Sequence, residues 1–196
     1  AKPSPLTGME LLEVLFKTGF FADKETGIAI MNEISEMCET LSSKNETPYT
    51  TDTPRILLTG VPIGLGSDKV VSIIEESGAS VVAFENCSGY KKVFQVDEDT
   101  DPIVALAAQY LSIPCSVMSP NHGRFELLEE MISEFSVDGV VDLTWQACHT
   151  YNVEAHSVQK FVSERFSLPF LHIETDYSES DTEQLRVRIE AFIEMI

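Results

Sequence analysis

The sequence lacks the patterns that mark exported and membrane-spanning chains. It contains no run of 18 apolar residues, so we expect no transmembrane helix. It shows no basic start followed by an apolar stretch, and therefore no signal peptide. These absences favour a cytoplasmic protein without a membrane partner. Apolar residues nevertheless make up 43% of the 196 residues, which is enough to bury a core and argues against general disorder.

Basic residues are also scarce. Lysine and arginine number 13 against 32 aspartates and glutamates, so the formal net charge is −19. A chain this acidic repels phosphate backbones and anionic membrane surfaces. We therefore expect no nucleic-acid partner.

Several familiar motifs of enzymes and metal sites are missing. There is no G-x-S-x-G elbow of a serine hydrolase and no C-x-x-C pair of a zinc site. A glycine-rich turn at 60–66 matches neither G-x-G-x-x-G nor G-x-x-x-x-G-K-[ST]. We interpret it as a tight turn, with contact between its amides and a ligand as the alternative.

The order of the predicted elements indicates an α/β protein. Two predicted helices occupy 1–46, a polar linker follows at 47–54, and strands alternate with helices over 55–196. The predicted strands are 55–59, 80–84, 114–118, 139–144 and 169–173. This alternation predicts a four- to five-stranded, mostly parallel, Rossmann-like sheet with helices on both faces, preceded by a small helical segment. The range 55–196 would then be one domain, with ligands at the carboxyl ends of its strands.

The four cysteines differ in their sequence context. Cys38 lies on the apolar stripe of a predicted helix, and we interpret it as a buried core thiol. The other three, Cys87, Cys115 and Cys148, lie in turn-like segments, two of them just beyond predicted strand ends. Three thiolates brought together by folding could hold an iron–sulfur cluster, and ordinary packing is the alternative.

Two histidines are candidate catalytic residues. His149 follows Cys148 directly, and His122 lies in a polar segment before a predicted helix. A histidine beside a cluster can move protons or donate a hydrogen bond to sulfur. The alternative, a polar loop residue without a role, stays open for both. We interpret His156 and His172 as a helix-surface and a strand residue.

Several ordered segments resemble one superfamily. They are ENCSGYK at 85–91, IPCSVMSPN at 113–121, CHTYNVE at 148–154, IETDYS at 173–178 and QLRVRIEAF at 184–192. The chain resembles the subunits of 2-hydroxyacyl-CoA dehydratases and benzoyl-CoA reductases, and most closely the double-cubane cluster branch. The resemblance covers about residues 5–196 and corresponds to the C-terminal half of a typical subunit.

The resemblance implies a low-potential iron–sulfur enzyme that uses ATP-driven electrons for dehydration or reduction. It implies that Cys87, Cys115 and Cys148 bind a [4Fe–4S] or double-cubane [8Fe–9S] cluster, whereas Cys38 does not. The implied partners are an upstream α/β domain of the same subunit, an ATP-hydrolysing iron–sulfur activator and a second subunit in a dimer. By itself this chain would then be an incomplete, inactive part. The alternative hypothesis is a non-catalytic acidic binding or assembly domain without a cluster.

Overall fold

A computed structural model describes residues 1–196, except for the side chain of Lys92. Its helices are α1 (Gly8–Thr18), α2 (Lys24–Lys44), α3 (Lys69–Glu76), α4 (Pro102–Ser112), α5 (His122–Glu134), α6 (His149–Phe166) and α7 (Thr182–Ile193). Its strands are β1 (Arg55–Gly60), β2 (Ser80–Phe84), β3 (Gly139–Trp145) and β4 (Phe170–Thr175). A short 3-10 turn covers Tyr90–Lys92. None of the described helices combines the length and the hydropathy needed to cross a membrane.

The four strands form one parallel sheet in the order β2-β1-β3-β4. The chain runs outward from β1 to β2, then crosses back over β1 to reach β3. The strand order therefore reverses between β1 and β3. In open parallel sheets the crevice at the carboxyl ends of such strands is the usual ligand position. The predicted Rossmann-like fold is confirmed, with four strands.

Apolar side chains alternate between the two faces of the central strands. On β1, Ile56 and Leu58 point into a core that also contains residues of α1, α3 and α7. Leu57 points to the other face, where residues of α5 and α6 form a second core. A parallel sheet with apolar residues on both faces needs helices on both sides to bury them.

The first helix is packed on the sheet. Helix α1 begins with a capping box, in which Thr7 and Glu10 bond each other's backbone amides. Its Leu12 side chain is fully buried in the same core as β1. Helix α2, in contrast, has no buried residue and lies on the outside of the protein.

Two sequence predictions are wrong in detail. Cys38 is only partly buried, because α2 lies outside the core and leaves one side to solvent. Burial of that degree, followed by the charge of Glu10, raises the pKa of its thiol. The predicted strand at 114–118 is a turn between α4 and α5, where the amide of Met118 donates to the carbonyl of Cys115. Pro114 has no amide to donate to a ladder, so the segment makes local hydrogen bonds instead.

Candidate functional site

The Cys87 loop follows β2 and is fastened at both ends by a buried ion pair. Glu85, just after the strand, lies 2.6 Å from the Lys91 ammonium, and both side chains are at most 1% exposed. Inside the loop, the Asn86 amide donates to the carbonyl of Val61 at 2.9 Å, which joins the loop to the segment after β1. Cys87 itself is exposed at the tip of the loop.

Cys115 lies in the turn between α4 and α5. The neighbouring Ser116 hydroxyl donates to Thr150, in the first turn of α6, at 3.1 Å. At the end of the same segment, the Asn121 amide donates to Glu154 of α6 at 2.7 Å. The Cys115 segment is therefore bonded to α6 at two points.

Cys148 is the residue before the first turn of α6. Its thiol lies 3.8 Å from the Thr150 hydroxyl, which is also the group that Ser116 contacts. The positive end of the helix dipole favours negative charge at this position. The Cys115 segment and Cys148 thus meet at the beginning of α6, whereas Cys87 lies in the separate loop after β2.

Beneath these loops lies a buried network of charged side chains, centred on Arg124 of α5. Arg124 is 1% exposed, and its guanidinium lies 3.5 Å from Glu85 and 3.6 Å from Asp142. It also contacts Glu154 and donates to the Thr59 hydroxyl at 2.9 Å. The side chain of Arg124 therefore joins α5 to β1, β3, α6 and the loop after β2.

The charges of the network stabilise one another. Complete burial by itself raises the pKa of Glu85, but Arg124 and Lys91 outweigh it, and the pKa lies below the usual value. Burial likewise opposes the charge of Arg124, and the carboxylates of Glu85 and Asp142 raise its pKa again. Both groups are therefore ionised in the folded protein.

Tyr151 is a buried side chain with an unused hydroxyl. It is 5% exposed, and its hydroxyl has no hydrogen-bond partner among the side chains that the structure describes. Arg124 lies 5.0 Å from its ring centroid. Burial, and then the negative charge of Glu85, raise the pKa of Tyr151, so its hydroxyl stays protonated.

The two candidate catalytic histidines are not part of this network. His122 is the first residue of α5, and His149 is the first residue of α6. Both are exposed, and neither ring makes a hydrogen bond within the described part of the chain. Their catalytic role stays a prediction.

The backbone amides of the glycine-rich turn after β1 already donate hydrogen bonds to side chains. The amide of Ile63 donates to Ser88, that of Gly64 to Ser67 and that of Gly66 to Asp68. Amides that already have side-chain acceptors are not free to hold a phosphate. The structure therefore favours the tight-turn interpretation.

The thiols provide the donor type of an iron–sulfur cluster at the expected edge of the sheet. All four cysteines are free, and Cys87 and Cys148 follow the ends of β2 and β3. However, no three His, Cys, Asp or Glu side chains within the described residues form a metal-binding group. The donors fit the cofactor in kind, whereas the described residues do not bring them together as a ligand set.

Sequence reasoning missed the charged network beneath the thiols. Two of its members carry a local signal, because Asp142 interrupts the apolar run of a strand and Glu85 ends another. His172, interpreted as a strand residue without a role, lies 2.8 Å from Asp142 through Nδ1. No local pattern marks Arg124, whose burial depends on packing between α5, α6 and the sheet.

Comparison with known proteins identifies the family. The model of the family described as 2-hydroxyglutaryl-CoA dehydratase, D-component, matches residues 1–196. The chain belongs to this dehydratase family. The resemblance seen in the sequence motifs is thereby confirmed.

Two relatives of this dehydratase-family chain are themselves named as subunits. It is 45% identical over 196 residues to "Putative dehydratase subunit YjiM" of Escherichia coli (strain K12), covering 99% of this chain and 50% of that protein. It is 22% identical over 184 residues to the (R)-phenyllactyl-CoA dehydratase beta subunit of Clostridium sporogenes, covering 93% and 47%. The chain spans about half the length of the relatives that it matches.

Proposed function

We propose that this chain is the cluster-binding half of an iron–sulfur dehydratase subunit that acts on a 2-hydroxyacyl-CoA. The observation that carries the proposal is the placement of Cys87, Cys115 and Cys148. All three are free thiols at the carboxyl edge of the sheet: the Cys115 segment and Cys148 meet at the start of α6, and Cys87 lies in the loop after β2. Family membership and a site of thiolate donors point to the same chemistry.

In this proposal Cys87, Cys115 and Cys148 supply thiolate ligands to a [4Fe–4S] or double-cubane [8Fe–9S] cluster. The cluster, when bound, supplies low-potential electrons for dehydration or reduction. The buried cations of Lys91 and Arg124 are already balanced by the carboxylates of Glu85, Asp142 and Glu154.

The proposed roles of His122 and His149 follow from their positions. Each begins a helix at the edge that carries the thiols, and each ring is open to solvent. An imidazole that is open to solvent can move a proton to or from a substrate, which removal of water requires.

The proposed partners are the rest of the subunit, a second subunit and an ATP-hydrolysing activator that delivers electrons. One surface supports the proposal that more polypeptide covers this chain. Helix α4, next to the Cys87 loop, leaves large apolar side chains exposed: Ile103 75%, Val104 56%, Tyr110 67% and Leu111 71%. Exposed apolar patches of this kind are typical of interaction surfaces.

The test is to count iron and acid-labile sulfide after anaerobic reconstitution. It is done on this chain and on a longer protein that includes the other half found in the relatives. We expect Cys87→Ser, Cys115→Ser and Cys148→Ser each to lower the iron content of the longer protein, because each removes one thiolate. Cys38→Ser is the matched control and should leave the iron content unchanged.

If the longer protein binds no iron, or if all three loop variants keep it, the cluster proposal fails. The alternative then gains ground, namely a non-catalytic acidic binding or assembly domain. The exposed face of α4 and the net charge of −19 are the features that such a domain would use.

A further inference from the structure

One buried side chain is linked to all three thiol-bearing segments. Arg124 Nε lies 3.5 Å from Glu85, two residues before Cys87. Arg124 Nη1 contacts Glu154 of α6, the helix that begins directly after Cys148. The second oxygen of Glu154 accepts from Asn121 at 2.7 Å, at the end of the Cys115 segment.

Stability alone is a poor explanation for this arrangement. The guanidinium and the carboxylates of Glu85 and Asp142 are at most 1% exposed, so all three have lost their hydration. The attraction within a buried ion pair offsets little of the free energy lost on desolvation. Apolar residues of the same volume often replace such pairs without loss of stability. A fixed charge network instead holds the elements that it joins in one position relative to one another.

We propose that Arg124 is a positioning residue that fixes the Cys87, Cys115 and Cys148 segments relative to one another. It holds the Cys87 loop through Glu85, which Lys91 closes from the other side. It holds the Cys115 segment through Glu154, which at the same time ties that segment to the helix after Cys148. The importance of this for a cluster rests on the proposed function, whereas the linkage itself does not.

The linkage is tested by hydrogen exchange with mass spectrometry on the iron-free chain. In Glu154→Ala, the Asn121 amide and the Arg124 guanidinium lose their shared partner. We expect exchange to accelerate about tenfold in the 113–121 segment, the equivalent of one hydrogen bond to a charged group. The 85–91 loop should keep its rate, because the Glu85–Lys91 pair is intact.

Two matched variants separate positioning from a general loss of stability. Glu129→Ala removes another ion pair between α5 and α6, the exposed contact of Glu129 with Arg165 at 2.9 Å, and should accelerate neither segment. Glu154→Gln keeps an oxygen for Asn121 and should restore most of the protection at 113–121. Equal acceleration of both segments in Glu154→Ala, or none in either, would overturn the proposal.

Arg124→Lys examines the residue itself. A lysine keeps the positive charge. It lacks the planar guanidinium with several donors, so it cannot contact Glu85 and Glu154 at the same time. We expect both segments, 85–91 and 113–121, to exchange faster than in the unaltered chain. If only one of them responds, Arg124 does not connect the thiol segments. Because no iron is present, this outcome is independent of the iron counts that test the proposed function.

Discussion

At the scale of single residues, the carboxylate of Glu85 is buried in the charged network beneath the thiols. It is completely buried between two cations, Lys91 at 2.6 Å and Arg124 at 3.5 Å. We expect Glu85→Gln to lower the free energy of unfolding by about 3–5 kcal/mol, because buried Lys91 loses its counter-charge and Arg124 loses one of its three carboxylate partners. Urea unfolding of the chain followed by circular dichroism measures this.

The control for Glu85 is a carboxylate that is exposed. Glu129→Gln removes the partner of Arg165, and those two side chains are 44% and 62% exposed. Its cost should stay below about 1 kcal/mol. Equal costs for the two variants would mean that the buried network contributes no more than a surface pair.

Two tyrosines provide a second comparison at this scale. The Tyr49 hydroxyl donates to Glu75 at 2.6 Å, whereas the Tyr151 hydroxyl has no partner among the described side chains. We expect Tyr49→Phe to lower the free energy of unfolding by about 1–3 kcal/mol, and Tyr151→Phe to leave it unchanged or raise it. Urea midpoints of the two iron-free variants measure the difference. A loss in Tyr151→Phe as large as in Tyr49→Phe would show that its hydroxyl has an acceptor.

At the scale of elements, the end of β1 depends on the absence of a side chain at Gly60. Gly60 has φ +104°, and a Cβ there would lie 2.1 Å from the carbonyl oxygen of Leu143 on the adjacent strand. We expect Gly60→Ala to cost at least about 3 kcal/mol, because both backbone strain and a clash with the strand oppose it. Thermal unfolding of the chain measures this.

Gly66 is the matched control in the same loop. Its φ is +85°, but a Cβ there would meet nothing within 4 Å. Gly66→Ala should therefore cost only about 1 kcal/mol, the strain without the clash. If the two alanine variants unfold at the same temperature, contact with β3 does not limit the residue at position 60.

Comparison of the predicted with the observed strands and helices shows what local sequence pattern can predict. Four of the five predicted strands exist: β1, β2 and β3 are almost wholly buried, and β4 is a partly buried strand that pairs with β3. The fifth, at 114–118, resembles a strand in length but contains Pro114 and has no strand beside it. The exposure of α2 could not be predicted from the sequence either, because an apolar stripe like that of α2 is also found on helices that pack in a core.

At the scale of the whole molecule, the net charge of −19 should make stability sensitive to salt. Like charges repel one another more in the compact state than in the unfolded chain, and salt screens this repulsion. We expect the melting temperature to rise when sodium chloride increases from about 0.05 to about 0.5 M. Potassium chloride should act equally, which separates screening from binding of a specific cation. A falling melting temperature would mean that attractive ion pairs outweigh the repulsion.

The sequence by itself determined the layered α/β fold, the positions of Cys87 and Cys148 just beyond strand ends, and the family. These depend on local periodicity and on ordered motifs, which can be read from the sequence without knowing which residues are in contact after folding. Only the tertiary structure decided that Arg124, Glu85, Asp142, Glu154 and Tyr151 form one buried cluster beneath those loops. Those residues come from separate strands and helices, and a charge is buried only where folding brings its counter-charge to it.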